Sequence, residues 1–396
     1  MKPNRMTIQN VGQITKAEIG FGDLTVFVGP QATGKSIALE FLKLLVDSGP
    51  VRTRLREYGV EWDRDLARFF DIFLGEGMNG VWHEGTSTLT ADGAKVDIAA
   101  LIKKPGQLKK DPSMFFLPAQ RVLTLREGWP RPFSDYGPGD PFVVRDFSDN
   151  LRLLMEKEFG RSGVLFPKSN RLKSEIRELL ADAVFHGFGL SVDKARPQKR
   201  LVLAQSGEGD SLPFMVWSAG QREFVPLLLG LYWLFPAAKV SRRTGVEWVV
   251  IEELEMGLHP KAINVVLLLV LELLWRGYRV CLSTHSSQVL DMLWALRILQ
   301  ERGGTASDVL DLFQCRRTSP MIRVAETAIK KDARVYLFEQ ASGRTRDISR
   351  LDPGSDDVRE AGWGGLTEFS GHVGDIVARV VGRSEISAIT KTGVLR

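Results

Sequence analysis

The chain has 396 residues, 44% of them hydrophobic and 26% charged, with a formal net charge of +5. Domains typically run about 100–200 residues, so this length implies two domains or one large domain with an insertion, and the composition excludes a disordered chain. The two cysteines, Cys281 and Cys315, exclude a disulfide framework, and no Cys/His spacing suits zinc.

Met1–Asn10 has no apolar run behind its basic residues, so no secretory leader is expected. The longest uncharged apolar stretch, Phe224 to Ala238, is broken by Pro226, Gly230 and Pro236. It falls short of the roughly 18 residues that cross a membrane. A cytoplasmic location without membrane contact is therefore expected.

In chain order, Ile8, Ile14 and Ile19 sit in short alternating strands, and Leu24–Val28 is a buried-strand run. A glycine-rich turn follows, and Ile37–Val46 shows helical spacing. Arg52–Phe73 predicts one or two helices and Gly75–Ile98 a hairpin region. Between Leu101 and Pro132 lie Lys103, Lys104, Lys109, Lys110, Arg121, Arg126 and Arg131, against only Asp111 and Glu127. A solvated face is the commoner explanation of such a run, and a nucleic-acid or acidic-partner contact the sharper one.

Helices are predicted over Ser148–Phe159 and Lys168–Phe188, then a strand pair, Arg200–Gln205 and Leu212–Trp217. After Ser218 the pattern alternates: helix Ala219–Leu234, strand Glu247–Ile251, helix Lys261–Leu274, strand Arg279–Ser283, helix Gln288–Leu299. That alternation predicts an α/β fold with a mostly parallel sheet. Short strands at Ile322–Ala325, Val335–Glu339 and Thr345–Ser349 and a closing helix near His372–Val381 complete the reading. Residues 1–48 and 200–396 are expected to form the core, with 49–199 an inserted helical and β lobe.

Four motifs carry chemistry. Gly29-Pro30-Gln31-Ala32-Thr33-Gly34-Lys35-Ser36 matches G-x-x-x-x-G-K-[ST] between a buried strand and an apolar helix. Its glycines let successive backbone amides face phosphate oxygens, and the helix adds its positive end. Gly29, Gln31, Thr33, Gly34, Lys35 and Ser36 are the nucleotide-binding candidates, with Lys35 on the β- and γ-phosphates and Ser36 on Mg²⁺.

Trp248-Val249-Val250-Ile251-Glu252-Glu253 is an apolar strand ending in two acids. Glu252 is assigned to Mg²⁺ and Glu253 to the attacking water. Ser218-Ala219-Gly220-Gln221-Arg222 opens the next helix upstream; in isolation a plain N-cap explains it, and its place a little upstream of the Glu252 strand favours a phosphate contact. Leu282-Ser283-Thr284-His285-Ser286 ends a strand in a histidine that is positioned to bond a γ-phosphate. ATP and Mg²⁺ are the cofactors this order of motifs calls for.

In that order the chain resembles the ABC-type ATPases of the SMC and DNA-repair class, and within them the OLD (overcoming lysogenization defect) ATPases. The resemblance rests on Gly29-Pro30-Gln31, Phe116-Leu117-Pro118-Ala119-Gln120-Arg121 and Glu252-Glu253-Leu254-Glu255-Met256-Gly257-Leu258-His259-Pro260. Leu254 departs from it, where the family usually has proline. The resemblance implies an ATPase head in which ATP is sandwiched between two subunits of a homo-oligomer. Ser218, Gly220, Gln221 and Arg222 would form the signature segment that caps the partner's nucleotide. It also implies a lobe-linking glutamine at Gln120 that shares the Mg²⁺, and His285 beside Glu253 in catalysis.

No sustained heptads are seen, and no Toprim-like nuclease site is expected after the histidine motif, where Asp352, Asp356 and Asp357 sit in a Gly/Pro-containing loop. The expected output therefore lies in a separate effector, a nuclease or toxin, within an anti-phage pair of the PARIS or Septu kind. A RecF-like DNA-maintenance ATPase, contacting DNA through Lys103–Arg131, is the alternative. A transporter subunit is disfavoured by Ser-Ala-Gly-Gln-Arg, since such subunits carry Leu-Ser-Gly-Gly-Gln.

Overall fold

The computed structural model describes residues 3–103, 111–137, 139–159, 163–193, 198–205, 211–236 and 242–393, with 383–393 described through backbone alone. Two strands open the chain, β1 (Arg5–Val11) and β2 (Ile14–Gly20), followed by β3 (Leu24–Val28) and the long helix α1 (Lys35–Glu57). Helix α1 kinks at Asp47, which has non-helical φ −124° three residues ahead of Pro50. A proline ring collides with the preceding turn and removes a hydrogen bond there.

Helix α2 (Leu66–Phe73), the hairpin β4 (Thr88–Ala91) and β5 (Ala94–Lys95), α3 (Ile98–Lys103) and β6 (Met114–Leu117) come next. A two-strand ribbon, β7 (Leu125–Arg126) and β8 (Trp129–Pro130), leads to α4 (Phe142–Leu154). Then follow β9 (Val164–Phe166), α5 (Ser174–Leu180), β10 (Phe188–Asp193), β11 (Arg200–Gln205) and β12 (Leu212–Pro213). The alternating stretch is α6 (Ala219–Leu234), β13 (Trp248–Ile251), α7 (Pro260–Trp275), β14 (Arg279–Thr284) and α8 (Ser287–Arg302). Helices α9 (Ala306–Leu312) and α10 (Ser319–Ile329), strands β15 (Ala333–Phe338) and β16 (Thr345–Asp347), and helices α11 (Val358–Ala361) and α12 (Glu368–Gly393) close the described chain.

The fold is α/β. Its central six-stranded sheet runs β16-β15-β3-β14-β13-β6, parallel except for β16. A four-stranded antiparallel sheet, β2-β1-β4-β5, meets the β16 edge of it through a Lys16–Arg344 bridge, and a second one runs β12-β11-β10-β9. A parallel strand is covered on both faces and reads as a continuous apolar run. Leu24–Val28 and Trp248–Ile251 are both buried throughout. Their side chains alternate between two cores: Val26, Val28, Val249 and Ile251 on one face, Phe27, Trp248 and Val250 on the other.

Two stretches assigned to an inserted lobe supply strands to the sheets. Strand β4 pairs with β1, and β6 pairs in parallel with β13 as the edge of the central sheet. Met114–Leu117 is only four residues long, too short for a period to stand out. The expected strand at Ile322–Ala325 is instead part of α10, where Pro320 sits in the first turn, a position proline favours. Leu212–Trp217 keeps two strand residues before a 3-10 turn over Phe214–Val216. No described helix is long and apolar enough to cross a membrane.

Candidate functional site

The parallel strands end on one edge, and their tips carry the predicted chemistry. Strand β3 delivers Gly29, whose φ of 139° is open only to glycine. A Cβ there would lie 2.4 Å from the Phe338 carbonyl oxygen on β15. Gly34, at φ 93°, caps α1, and a Cβ would meet Ile14 Cγ1 at 2.5 Å. Ala32 also takes positive φ, so the loop from Gly29 to Gly34 turns back on itself. Thr33 Oγ1 donates to the Pro30 carbonyl at 2.9 Å and pins that curve.

Lys35 begins α1 with its ammonium buried in the loop, donating to the carbonyls of Gly29 (2.7 Å) and Pro30 (2.6 Å). Burial lowers its pKa to about 8, while Glu253 and Glu255 work in the opposite direction. Gln31 and Ser36 are exposed and Thr33 is buried. The loop therefore offers helix-end amides and one partly desolvated cation, the donor set a polyphosphate needs.

Strand β13 delivers Glu252 and Glu253 two strands away, with β14 between. Glu252 is buried, and burial raises its carboxyl to about 6; the Ser36 hydroxyl and the Ala119 amide favour the charged form. Ala119 N donates to Glu252 Oε2 at 3.1 Å, while Oε1 is buried with no hydrogen-bond partner. An orphaned carboxylate oxygen beside a Ser36 hydroxyl is the donor pair that Mg²⁺ would complete. Those two residues fit the ion.

Glu253 sits at φ 42°, a left-handed conformation uncommon for a glutamate, and its N–H donates to Ser283 Oγ at 3.1 Å. Its Oε1 lies 3.9 Å from His285 Nε2. Nε2 is buried and without a hydrogen-bond partner, and burial together with Lys35 lowers the imidazole's pKa. The structure thus brings Lys35, Ser36, Glu252, Glu253 and His285 to one sheet edge. A carboxylate beside a neutral imidazole can orient and deprotonate a water.

Gln120 follows β6 and is exposed at the start of a 3-10 turn; the contact to Glu252 comes from the neighbouring Ala119 amide. Ser218 caps α6 in a closed capping box. Gln221 N donates to Ser218 Oγ at 3.2 Å and Ser218 N donates to Gln221 Oε1 at 3.1 Å. Gln221 Nε2 also reaches the Val184 carbonyl at 3.3 Å. Ser218 is exposed and Arg222 half-buried, and a Cβ on Gly220 would lie 3.0 Å from the Gly257 carbonyl oxygen.

Three residues were given no role of their own in the sequence. Glu255 accepts from Thr284 Oγ1 at 2.9 Å and from the His285 amide, so it fixes the histidine turn. Its signal was the third acid of Glu252-Glu253-Leu254-Glu255. Glu40, one turn beyond Ser36 on α1, is buried, and burial plus nearby Glu252 raises its carboxyl well above the usual range. Arg121 is 0% exposed and donates to the carbonyls of both Glu252 and Glu253 at 2.9 Å. In sequence it reads as one more cation of the basic stretch.

Lys103 and Arg126 are exposed, Arg131 stacks over Tyr136 at 3.9 Å, and Lys104, Lys109 and Lys110 lie outside the described residues.

Residues 143–291 match the family model described as "AAA domain, putative AbiEii toxin, Type IV TA system". That span holds Ser218, Glu252, Glu253 and His285. No curated protein matches the chain. Among solved structures, the chain is similar to an SMC head bound to the C-terminal winged-helix domain of ScpA, at 12% identity and TM-score 0.41, covering 88% of this chain and 97% of that one. It is also similar to a dimeric bacterial ABC transporter cassette (11% identity, TM-score 0.35, 86% of this chain and 97% of that one). A third is the SMC head domain from Thermotoga maritima (12% identity, TM-score 0.30, 74% and 92%).

Proposed function

We propose that this chain is an ATP-binding and ATP-hydrolysing ABC-type ATPase that works as a nucleotide-sandwiched homo-oligomer and controls a separate effector in anti-phage defence. One observation carries the ATPase reading: the phosphate-loop lysine, the orphaned Glu252 oxygen and the Glu253–His285 pair share one edge of one parallel sheet. Lys35, Ser36 and the loop amides hold the polyphosphate. Glu252 and Ser36 would hold Mg²⁺, which when bound neutralises charge on the phosphate oxygens. Glu253 takes the proton of the attacking water, and His285 faces the γ-phosphate.

The sandwich reading draws on the order of motifs and on an exposed segment. Ser218 and Ala219 are exposed at the start of α6, and Met215 and Val216 just before them are 69% and 62% exposed. Exposed apolar side chains flanking a capped helix start suit burial against a second copy. A defence role is supported by the toxin–antitoxin wording of the matched family model, and the separate effector draws on the resemblance alone. For the DNA-maintenance alternative, Arg121 is buried and gives no surface contact, while Lys103 and Arg126 of the same stretch are exposed.

Steady-state ATP turnover by the purified chain tests the ATPase reading. Mg²⁺-dependent phosphate release that vanishes with EDTA is expected. No release above buffer, at any Mg-ATP concentration, contradicts it.

A further inference from the structure

Arg121 does more than fill a core. Its guanidinium is fully buried, yet it meets three separate elements. Nη1 donates to the Glu252 carbonyl at 2.9 Å and to Pro118 O at 3.4 Å, just past β6. Nη2 donates to the Glu253 carbonyl at 2.9 Å, and Nε to the Glu223 carbonyl on α6 at 3.3 Å. The Glu223 carboxylate lies 3.8 Å from Nε, with Oε2 buried and no hydrogen-bond partner. A planar fork of five fixed donors can span such acceptors, and an ammonium cannot.

Glu223 belongs to the first turns of the helix that Ser218 caps. It packs on the segment after Glu253: a Cβ on Gly257 would sit 3.0 Å from Glu223 Cγ. Helix α6 is therefore tied to the Glu252–Gly257 segment twice, by the Gly220 and Glu223 contacts with Gly257 and by Arg121. The Arg121 tie ends on the carbonyl of Glu253, a residue held at φ 42°.

In a two-subunit sandwich the Ser218 turn faces the partner's nucleotide, whereas Glu253 acts on its own. We propose that Arg121 is a positioning residue which, through its ion pair with the Glu223 carboxylate, couples the two nucleotide sites: closure of the Ser218 turn on one nucleotide sets the aim of Glu253 at the other. The proposal rests on the sandwich reading above.

Two variants of the full chain test it, Glu223→Gln, which removes a charge at constant shape, and Arg121→Lys, which keeps the charge but not the fork. Each is measured for binding of a fluorescent ATP analogue, ATP-dependent mass, thermal midpoint, kcat, KM and Hill coefficient. For Glu223→Gln we expect binding, mass and midpoint close to wild type, kcat lower by about tenfold, KM moved by less than about twofold, and a Hill coefficient falling from above one towards one. Arg121→Lys should lose at least as much kcat; if it does not fold, Glu223→Gln decides alone.

Unchanged kcat and Hill coefficient in Glu223→Gln would overturn the coupling. So would a loss of kcat that merely follows lost binding and a lowered midpoint, which is a packing effect. A hyperbolic wild-type ATP response with normal ATP-driven association overturns the coupling and leaves the sandwich standing. Absent association in the wild type overturns the sandwich, and the coupling with it.

Discussion

At the scale of single residues, the site is a set of buried polar atoms whose partners are incomplete. Lys35 occupies its three donors partly with the Gly29 and Pro30 carbonyls, at 2.7 and 2.6 Å. A phosphate oxygen is a stronger acceptor for the same ammonium, because the pair is charge-assisted. Lys35→Ala should weaken equilibrium binding of a fluorescent ATP analogue by about 100-fold or more, since hydrogen bonds to charged groups contribute ~1.5–3 kcal/mol each. Binding within a factor of a few of wild type would remove Lys35 from the phosphate site. Cys281 makes a contrasting case: burial alone pushes its thiol up, out of reach of reagents that need a thiolate. A maleimide should leave Cys281 unlabelled in the folded chain and label it in denaturant, by mass spectrometry; labelling of the native protein would place that strand at the surface.

The residue scale also shows what sequence could and could not reveal. Gly29, Gly34, Lys35 and Ser36 are legible because one backbone shape demands them at fixed spacing. Glu252 and Glu253 are legible because an apolar strand stops at them. Arg121 was illegible because its meaning lies in Glu223, Glu252 and Glu253, all more than a hundred positions away. Counting it with its chain neighbours made it part of a basic surface, and the fold puts it in the interior.

Elements are held in register by buried polar links as well as by apolar packing. Lys43 on α1 donates to Asp47 Oδ2 at 2.9 Å and to the Met114 carbonyl at 2.8 Å. Asp47 in turn accepts from the amides of Ser113 and Met114. The helix that starts in the phosphate loop is thereby clamped to β6, the strand that leads to Gln120 and Arg121. Both side chains are 2% exposed or less. Removing one partner of such a pair strands the other charge, at a cost of about 3–5 kcal/mol. Lys43→Ala should lower the urea midpoint by that much stability; a change below about 1 kcal/mol would show that the pair is not buried in solution.

Strand β6 explains where element-level reading fails. Met-Phe-Phe-Leu has no period, and Pro112 and Pro118 on either side resemble loop punctuation. Only pairing with β13 makes it a strand. Ile322–Ala325 failed in the other direction. Ile322 and Val324 suggested a strand, while Met321, Val324, Ala325 and Ala328 form the buried stripe of α10. By contrast Ala219–Leu234 is found with the same bounds, because Ser218 and Gln221 announce a capping box.

For the whole molecule, the proposed sandwich makes the site of one chain incomplete without a second. Ser218, Met215 and Val216 are exposed, and in the proposed sandwich they would meet the phosphate loop of a second copy. Ser218→Arg places a long cation on that surface without touching the chain's own Lys35 or Glu253. It should leave binding of a fluorescent ATP analogue within about twofold and abolish ATP-driven association, as read by sedimentation velocity. Association equal to wild type would exclude this face from the interface.

The most direct measurement is the light-scattering mass of Glu253→Gln with and without Mg-ATP. The amide keeps the shape but cannot take the water's proton, so turnover should fall by about 10²–10⁴-fold while nucleotide still binds. A monomer mass is expected without nucleotide and a stable dimer or larger assembly with Mg-ATP, dispersing when the nucleotide is removed. A mass that ignores Mg-ATP, in a variant shown to bind it, would contradict the nucleotide-sandwiched assembly.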